Sequence, residues 1–121
     1  MTKKIAALAL AVSASALLWA LPAAAQTRAA KATTVTVTAG KPAEFKFTVS
    51  KTSVPAGPVT FAVTNKGSLP HDFSIGGKKT ALIQPGKTAK LAVTLKKGKA
   101  TYQCTVPGHA AAGMKGTLTV K

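Results

Sequence analysis

Tyr102-Gln103-Cys104-Thr105-Val106-Pro107-Gly108-His109-Ala110-Ala111-Ala112-Gly113-Met114 is the stretch on which the reading of this chain turns. It holds the only cysteine of the 121-residue sequence, one of its two histidines and one of its two methionines. Four residues separate Cys104 from His109, and four separate His109 from Met114. Alternation across Thr101–Cys104 reads as the end of a strand, with the thiol at the rim of a sheet. Pro107-Gly108 forces a turn, and Gly113 lets the backbone bend again before Met114. Lys115–Lys121 alternates once more, with Leu118 and Val120 on one face, and reads as the returning strand. Two strands joined by a tight loop hold side chains rigidly.

A thiolate, an imidazole and a thioether in one loop suit a soft metal, and copper best among the common ones. Trigonal ligation by two histidines and a cysteine, with a weak axial methionine, is an electron-transfer copper arrangement. The loop supplies three of those four groups, and the second histidine has one source, His71 in Leu69-Pro70-His71-Asp72-Phe73. Taken singly, the cysteine would read as a small core hydrophobe, the histidine as a surface residue and the methionine as filler. Those readings leave the spacing and the Pro-Gly turn unexplained. Zinc would take the cysteine and both histidines, but it favours a harder fourth ligand or another thiolate over a thioether.

Tyr102-Gln103-Cys104, Pro107-Gly108-His109 and Gly113-Met114, with Pro70-His71 upstream, resemble the small blue copper proteins, the cupredoxins. The spacing is similar to that of auracyanin and rusticyanin, whereas azurin and plastocyanin have slightly shorter loops. The resemblance runs from about Thr33 to Lys121 and implies a Greek-key β-sandwich of about seven to eight strands. It implies one copper ion per chain, cycling between Cu(I) and Cu(II) on His71, Cys104, His109 and Met114. It also implies a small apolar patch of Pro70, Pro107, Ala110, Ala111 and Ala112 around the imidazole of His109, where a redox partner docks. The residue after the upstream histidine is commonly Asn in the family and clasps the cysteine loop. Here it is Asp72, whose carboxylate is expected to accept a hydrogen bond from Thr105; the bland alternative is a turn cap.

Outside this loop the chain divides simply. Lys3-Lys4, the apolar run Ile5–Leu21 and the small residues Ala23-Ala24-Ala25 read as an export signal over 1–25, cut before Gln26. An uncleaved anchor is the competing reading, although the run is short and Ala-rich for a membrane span. No cysteine follows the run, which excludes a lipoprotein, and the destination expected is the periplasm. Residues 26–32 read as a flexible tail. Residues 33–121 then form one domain, with a single thiol that can make no internal disulfide.

That domain is strand-like throughout. Thr34–Thr38, Glu44–Val49, Val59–Val63, Phe73–Ile75 and Lys87–Leu95 alternate apolar and polar residues. Pro55-Ala56-Gly57-Pro58, Asn65-Lys66-Gly67, Gly76-Gly77, Pro85-Gly86 and Lys97-Gly98-Lys99 punctuate them. Short strands at this spacing indicate an all-β sandwich or barrel.

The formal charge is +15, with Glu44 and Asp72 the only acidic residues. Removing Lys3 and Lys4 with the signal leaves about +13. Lysines on outward strand faces discourage edge-to-edge pairing, and their field favours redox partners with an acidic docking face. Nucleic acid is not expected, because the chain is read as exported and lacks interleaved aromatics or a binding motif. Gly86-Lys87-Thr88 resembles the end of a phosphate loop, but Ala81 stands where the leading glycine is required.

The function expected is single-electron carriage by an exported, monomeric, non-enzymatic copper protein with no stable membrane insertion after cleavage. A copper-handling protein is the alternative, although no Met-rich or His-rich stretch supports it. A copper enzyme would need an open coordination position or further metal centres, for which no histidine remains. A metal-free adhesion module leaves the four-ligand pattern unexplained.

Overall fold

A computed structural model describes residues 31–121, so the expected signal over 1–25 and residues 26–30 of the expected tail lie outside the described residues. The described residues form nine strands: β1 (Thr33–Ala39), β2 (Phe47–Val49), β3 (Ser53–Val54), β4 (Gly57–Asn65), β5 (Ser74–Ile75), β6 (Lys78–Lys79), β7 (Thr88–Leu95), β8 (Gly98–Gln103) and β9 (Lys115–Val120). They make an all-β sandwich, with one sheet ordered β2-β1-β4-β7 and the other β3-β9-β8-β5-β6. The count exceeds the seven to eight expected because β3 and β6 are two-residue strands, too short for alternation to reveal, whereas β5 falls on the short strand expected at Phe73–Ile75. Among the described residues there is no helix long and apolar enough to cross a membrane.

Alternation in the sequence becomes the two faces of each sheet. In β1, Val35, Val37 and Ala39 point inward between threonines, because successive side chains of a strand leave opposite faces. β4 runs parallel to β1 and antiparallel to β7, which sets Val35 beside Phe61 and Phe61 beside Leu91. The facing sheet contributes Val54, Phe73, Ile75, Tyr102, Leu118 and Val120 to the same core. Each such side chain, once buried, stabilises the fold by about 1.5–3 kcal/mol relative to exposure. Across the β8–β9 ladder Tyr102 faces Gly116, and a Cβ there would run into its ring. One outer strand of the second sheet, β6, is a pair of exposed lysines, which blunts that edge.

Two features carry this core toward one end of the sandwich. Phe73 lies against Phe61, Phe47 and Tyr102, with ring centroids 5.1, 5.3 and 5.5 Å away. Phe47 in turn packs against a smaller buried cluster of Ala39, Cys104 and Met114. The second feature is Asn65, at the end of β4 and fully buried. Its Nδ2 donates to the carbonyls of Leu69 and Ile83, each at 2.8 Å, and its Oδ1 accepts from Gly67 N–H at 2.9 Å. His71 and Ile83 exchange backbone hydrogen bonds of 3.1 and 2.7 Å, so Asn65 ties together both segments that hold His71.

Asn65→Ala should therefore destabilise the metal-free fold by about 1–3 kcal/mol, because it removes three hydrogen bonds and leaves Leu69 C=O and Gly67 N–H without their partner. Urea unfolding of the metal-free protein measures this. A loss under about 0.5 kcal/mol, typical of a surface site, would contradict the role given to Asn65.

Candidate metal centre

Cys104 follows β8 directly and Met114 precedes β9, so the ends of one antiparallel ladder carry both sulfur residues. Cys104 N–H donates to Met114 C=O at 3.0 Å, which continues the ladder by one bond and closes the loop. Inside it, His109 N–H donates to Val106 C=O and Met114 N–H to His109 C=O, both at 3.1 Å. Ala112 and Gly113 N–H donate back to Gly108, His109 and Ala110, so most of the loop backbone is satisfied internally. Gly108 has φ +84° and Gly113 φ +113°, values that L side chains rarely adopt.

His71 arrives from the segment between β4 and β5, and its side chain is completely buried. Three ligand-type atoms converge. His71 Nδ1 lies 3.1 Å from His109 Nδ1, while Cys104 Sγ lies 3.6 Å from His109 Nδ1 and 4.0 Å from His71 Nδ1. Bonds of about 2.0–2.1 Å to imidazole and about 2.3 Å to thiolate would separate trigonal ligand atoms by about 3.6 Å (N–N) and about 3.8 Å (N–S). The observed triangle is within about half an ångström of that, so the donor set fits a first-row metal ion. Met114 is fully buried in the cluster that includes Cys104.

The remaining expected residues are found as follows. Asp72 is buried, and its Oδ1 accepts from Thr105 N–H at 2.6 Å while Oδ2 accepts from the Thr105 hydroxyl. Asp72 N–H points at Cys104 Sγ, 3.4 Å away. Pro107, Ala111 and Ala112 are exposed, and Pro70, His109 and Ala110 are partly so. Leu69 and Leu82, 43% and 53% exposed, are the large apolar side chains left open to solvent near His71, and alternation did not single them out.

Glu44 is the residue that sequence reasoning missed. The alternation Glu44–Val49 was expected to be strand throughout, but β2 begins only at Phe47. Lys46 N–H instead bonds to Ala43 C=O, and Gly40 N–H to Lys46 C=O, which turns residues 43–46 out of the sheet. Glu44 Oε1 then sits 2.8 Å from His71 Nε2, and the carboxylate also accepts from Ser68 N–H at 2.9 Å and Leu69 N–H at 3.0 Å. The two backbone donors, helped by His71, hold the Glu44 carboxyl down at about 2. The next residue, Phe45, meets the His109 ring edge-on at 4.9 Å. The available signal was scarcity: Glu44 is one of two acidic residues in a chain of charge +15.

Burial also tunes the converging side chains. It pushes the Cys104 thiol up, against the pull of the backbone N–H of Asp72 and Val106. Desolvation, with His71 alongside, pulls His109 below the usual imidazole range. Both carboxylates of the described chain are engaged at this end, whereas every lysine described is exposed.

Residues 8–120 match the family described as a cupredoxin-like domain. The chain is 32% identical over 95 residues to the copper-resistant cuproprotein CopI of Vibrio cholerae, a match covering 59% of this chain and 56% of that one. It thus spans little more than half the length of that relative. The fold superposes on reduced auracyanin from Roseiflexus castenholzii with a TM-score of 0.64 at 22% identity, covering 74% of this chain and 98% of that one. Rusticyanin from Thiobacillus ferrooxidans gives 0.58 at 29% identity, with 73% and 76% covered.

Because the buried thiol must ionise to bind a metal, uptake should release a proton. Cobalt(II) titration of the metal-free protein should show apparent affinity rising about tenfold per unit from about pH 7 to about 8.5. A flat profile would mean that Cys104 does not ionise on binding.

Proposed function

The chain belongs to the cupredoxin-like domain family, and on that premise we propose that it is an exported type 1 copper protein carrying single electrons between redox partners. The observation that carries this reading is the convergence of His71 Nδ1, Cys104 Sγ and His109 Nδ1 within 4.8 Å of one another. We assign these three residues, with Met114, as the ones that would hold copper. Bound there, copper supplies a one-electron couple between Cu(I) and Cu(II). The chain's own part is to keep the donor set still, so that little rearrangement accompanies a change of oxidation state. Loop hydrogen bonds from Cys104 to Met114 support that role, as do the buried segments around His71. Asp72 acts as a clasp by accepting both the N–H and the hydroxyl of Thr105, which holds the start of the cysteine loop against the His71 segment.

His109 is the exit. Its ring is partly exposed where that of His71 is buried, and Pro70, Pro107, Ala110, Ala111 and Ala112 form the apolar rim on which a partner would settle. Exposed lysines steer that partner, which carries an acidic docking face. We take residues 1–25 as the export signal, 33–121 as the copper domain, the periplasm as its place, a monomer as its working form, and catalysis as no part of its role. A second reading, copper handling, draws support from CopI, described as a copper-resistant cuproprotein.

Adding Cu(II) to the metal-free protein should give an intense blue colour, and Cys104→Ser should abolish it while leaving a folded β-protein. The thiolate supplies the charge-transfer band, whereas the core does not depend on it. A variant that stayed blue would sink the ligand assignment.

Electron carriage and copper handling separate by kinetics. Stopped-flow transfer to an acidic redox protein should slow as salt rises, since screening acts over about 8 Å at physiological ionic strength. Ala111→Glu should slow it further without altering the colour. Rates indifferent to both changes would favour handling over carriage.

A further inference from the structure

We infer that Glu44 is a positioning residue for the metal centre, setting the orientation and tautomer of His71 through the hydrogen bond at Nε2. This rests on the copper reading only for its effect on the metal; its structural half concerns the chain alone.

An ionised carboxylate accepts hydrogen bonds and donates none. The 2.8 Å contact therefore requires the proton of the neutral His71 ring to be on Nε2. Nδ1 is left with its lone pair, facing Cys104 Sγ and His109 Nδ1. A histidine that binds a metal through one nitrogen has its tautomer fixed by what the other nitrogen meets. His71 meets a charged partner, which also makes the ring a stronger donor and adds negative charge behind it. Both effects favour the higher oxidation state of a bound ion.

The carboxylate is itself held in place. Ser68 and Leu69 N–H bind it from the segment leading into His71, so Glu44 fixes the ring and its supporting backbone together. Gly67 makes room for it: a Cβ there would lie 2.5 Å from Oε1. Gly67→Ala thus displaces the carboxylate without changing Glu44 or any ligand. A carboxylate that only tied the loop could do so through Ser68 and Leu69, with no contact to the ring.

The experiment compares the parent with Glu44→Gln, Glu44→Ala and Gly67→Ala. In the metal-free protein, 15N NMR of the histidine rings should find His71 with its proton on Nε2. Glu44→Gln should preserve that form, since the amide oxygen still accepts. Glu44→Ala and Gly67→Ala should yield a mixture of tautomers. In the copper-loaded protein, the latter two should lose metal to a chelator about 10–100-fold faster. Glu44→Gln should hold copper nearly as well as the parent while its midpoint potential rises, because the negative charge is gone and the hydrogen bond is not. A parent His71 protonated on Nδ1 would overturn the inference, as would an unchanged tautomer in Glu44→Ala. An unmoved potential in Glu44→Gln would overturn the electrostatic half. Failure of the parent to take up copper would refute the function proposed above, yet leave the tautomer measurement to decide on Glu44.

Discussion

Everything at the working end of this molecule hangs on the backbone bond from Cys104 N–H to Met114 C=O, one step beyond the β8–β9 ladder. Strand pairing is cooperative and its register is set by the buried faces of both strands. The bond therefore hands the rigidity of the sandwich to a loop that has no sheet of its own. A slip of one residue would turn Leu118 and Val120 outward and would separate the two sulfur-bearing positions in the same motion. Core packing and site geometry are thus enforced by one register, which is why a chain with so small a core can hold its donor atoms in a narrow triangle.

The second support is polar. His71 opens a buried run, residues 71–73, whose backbone would be costly to leave unpaired. Asn65, Asp72 and Glu44 answer that cost from three sides, and each joins pieces of chain distant in sequence. Glu44-Phe45 touches both imidazoles, one by hydrogen bond and the other by an aromatic edge. The two histidines are consequently held from outside the loop as well as within it.

Much of this was legible in the residues. Valine and threonine alternating over Thr33–Ala39 can scarcely be anything but a half-buried strand, and the Cys-His-Met spacing needs a loop between strand ends. His71 followed because no other histidine remained. Asp72 beside it was legible as a partner for Thr105 through the family resemblance, not through pattern. Glu44 was not legible, because period-2 alternation continues through Phe45 and Phe47 while the backbone has already turned away. Asn65 was read as a turn residue for a similar reason: a polar residue beside glycine usually faces water, and only three-dimensional closure shows this one fully enclosed. Contacts that cross 27 residues of sequence leave no local trace.

The placement of the acidic side chains has a consequence for encounters between copies of this chain. Both carboxylates are committed at the histidines and the cysteine loop, so the described surface carries lysines with no anionic neighbour to neutralise them. Two such molecules, each strongly positive overall, repel one another as they approach. Under the proposed electron-carrying role, self-exchange between oxidised and reduced copies would be disfavoured at low ionic strength and eased by salt, the reverse of transfer to an acidic partner. The charge proposed to speed encounter with an acidic partner would also keep copies of the chain from exchanging electrons among themselves.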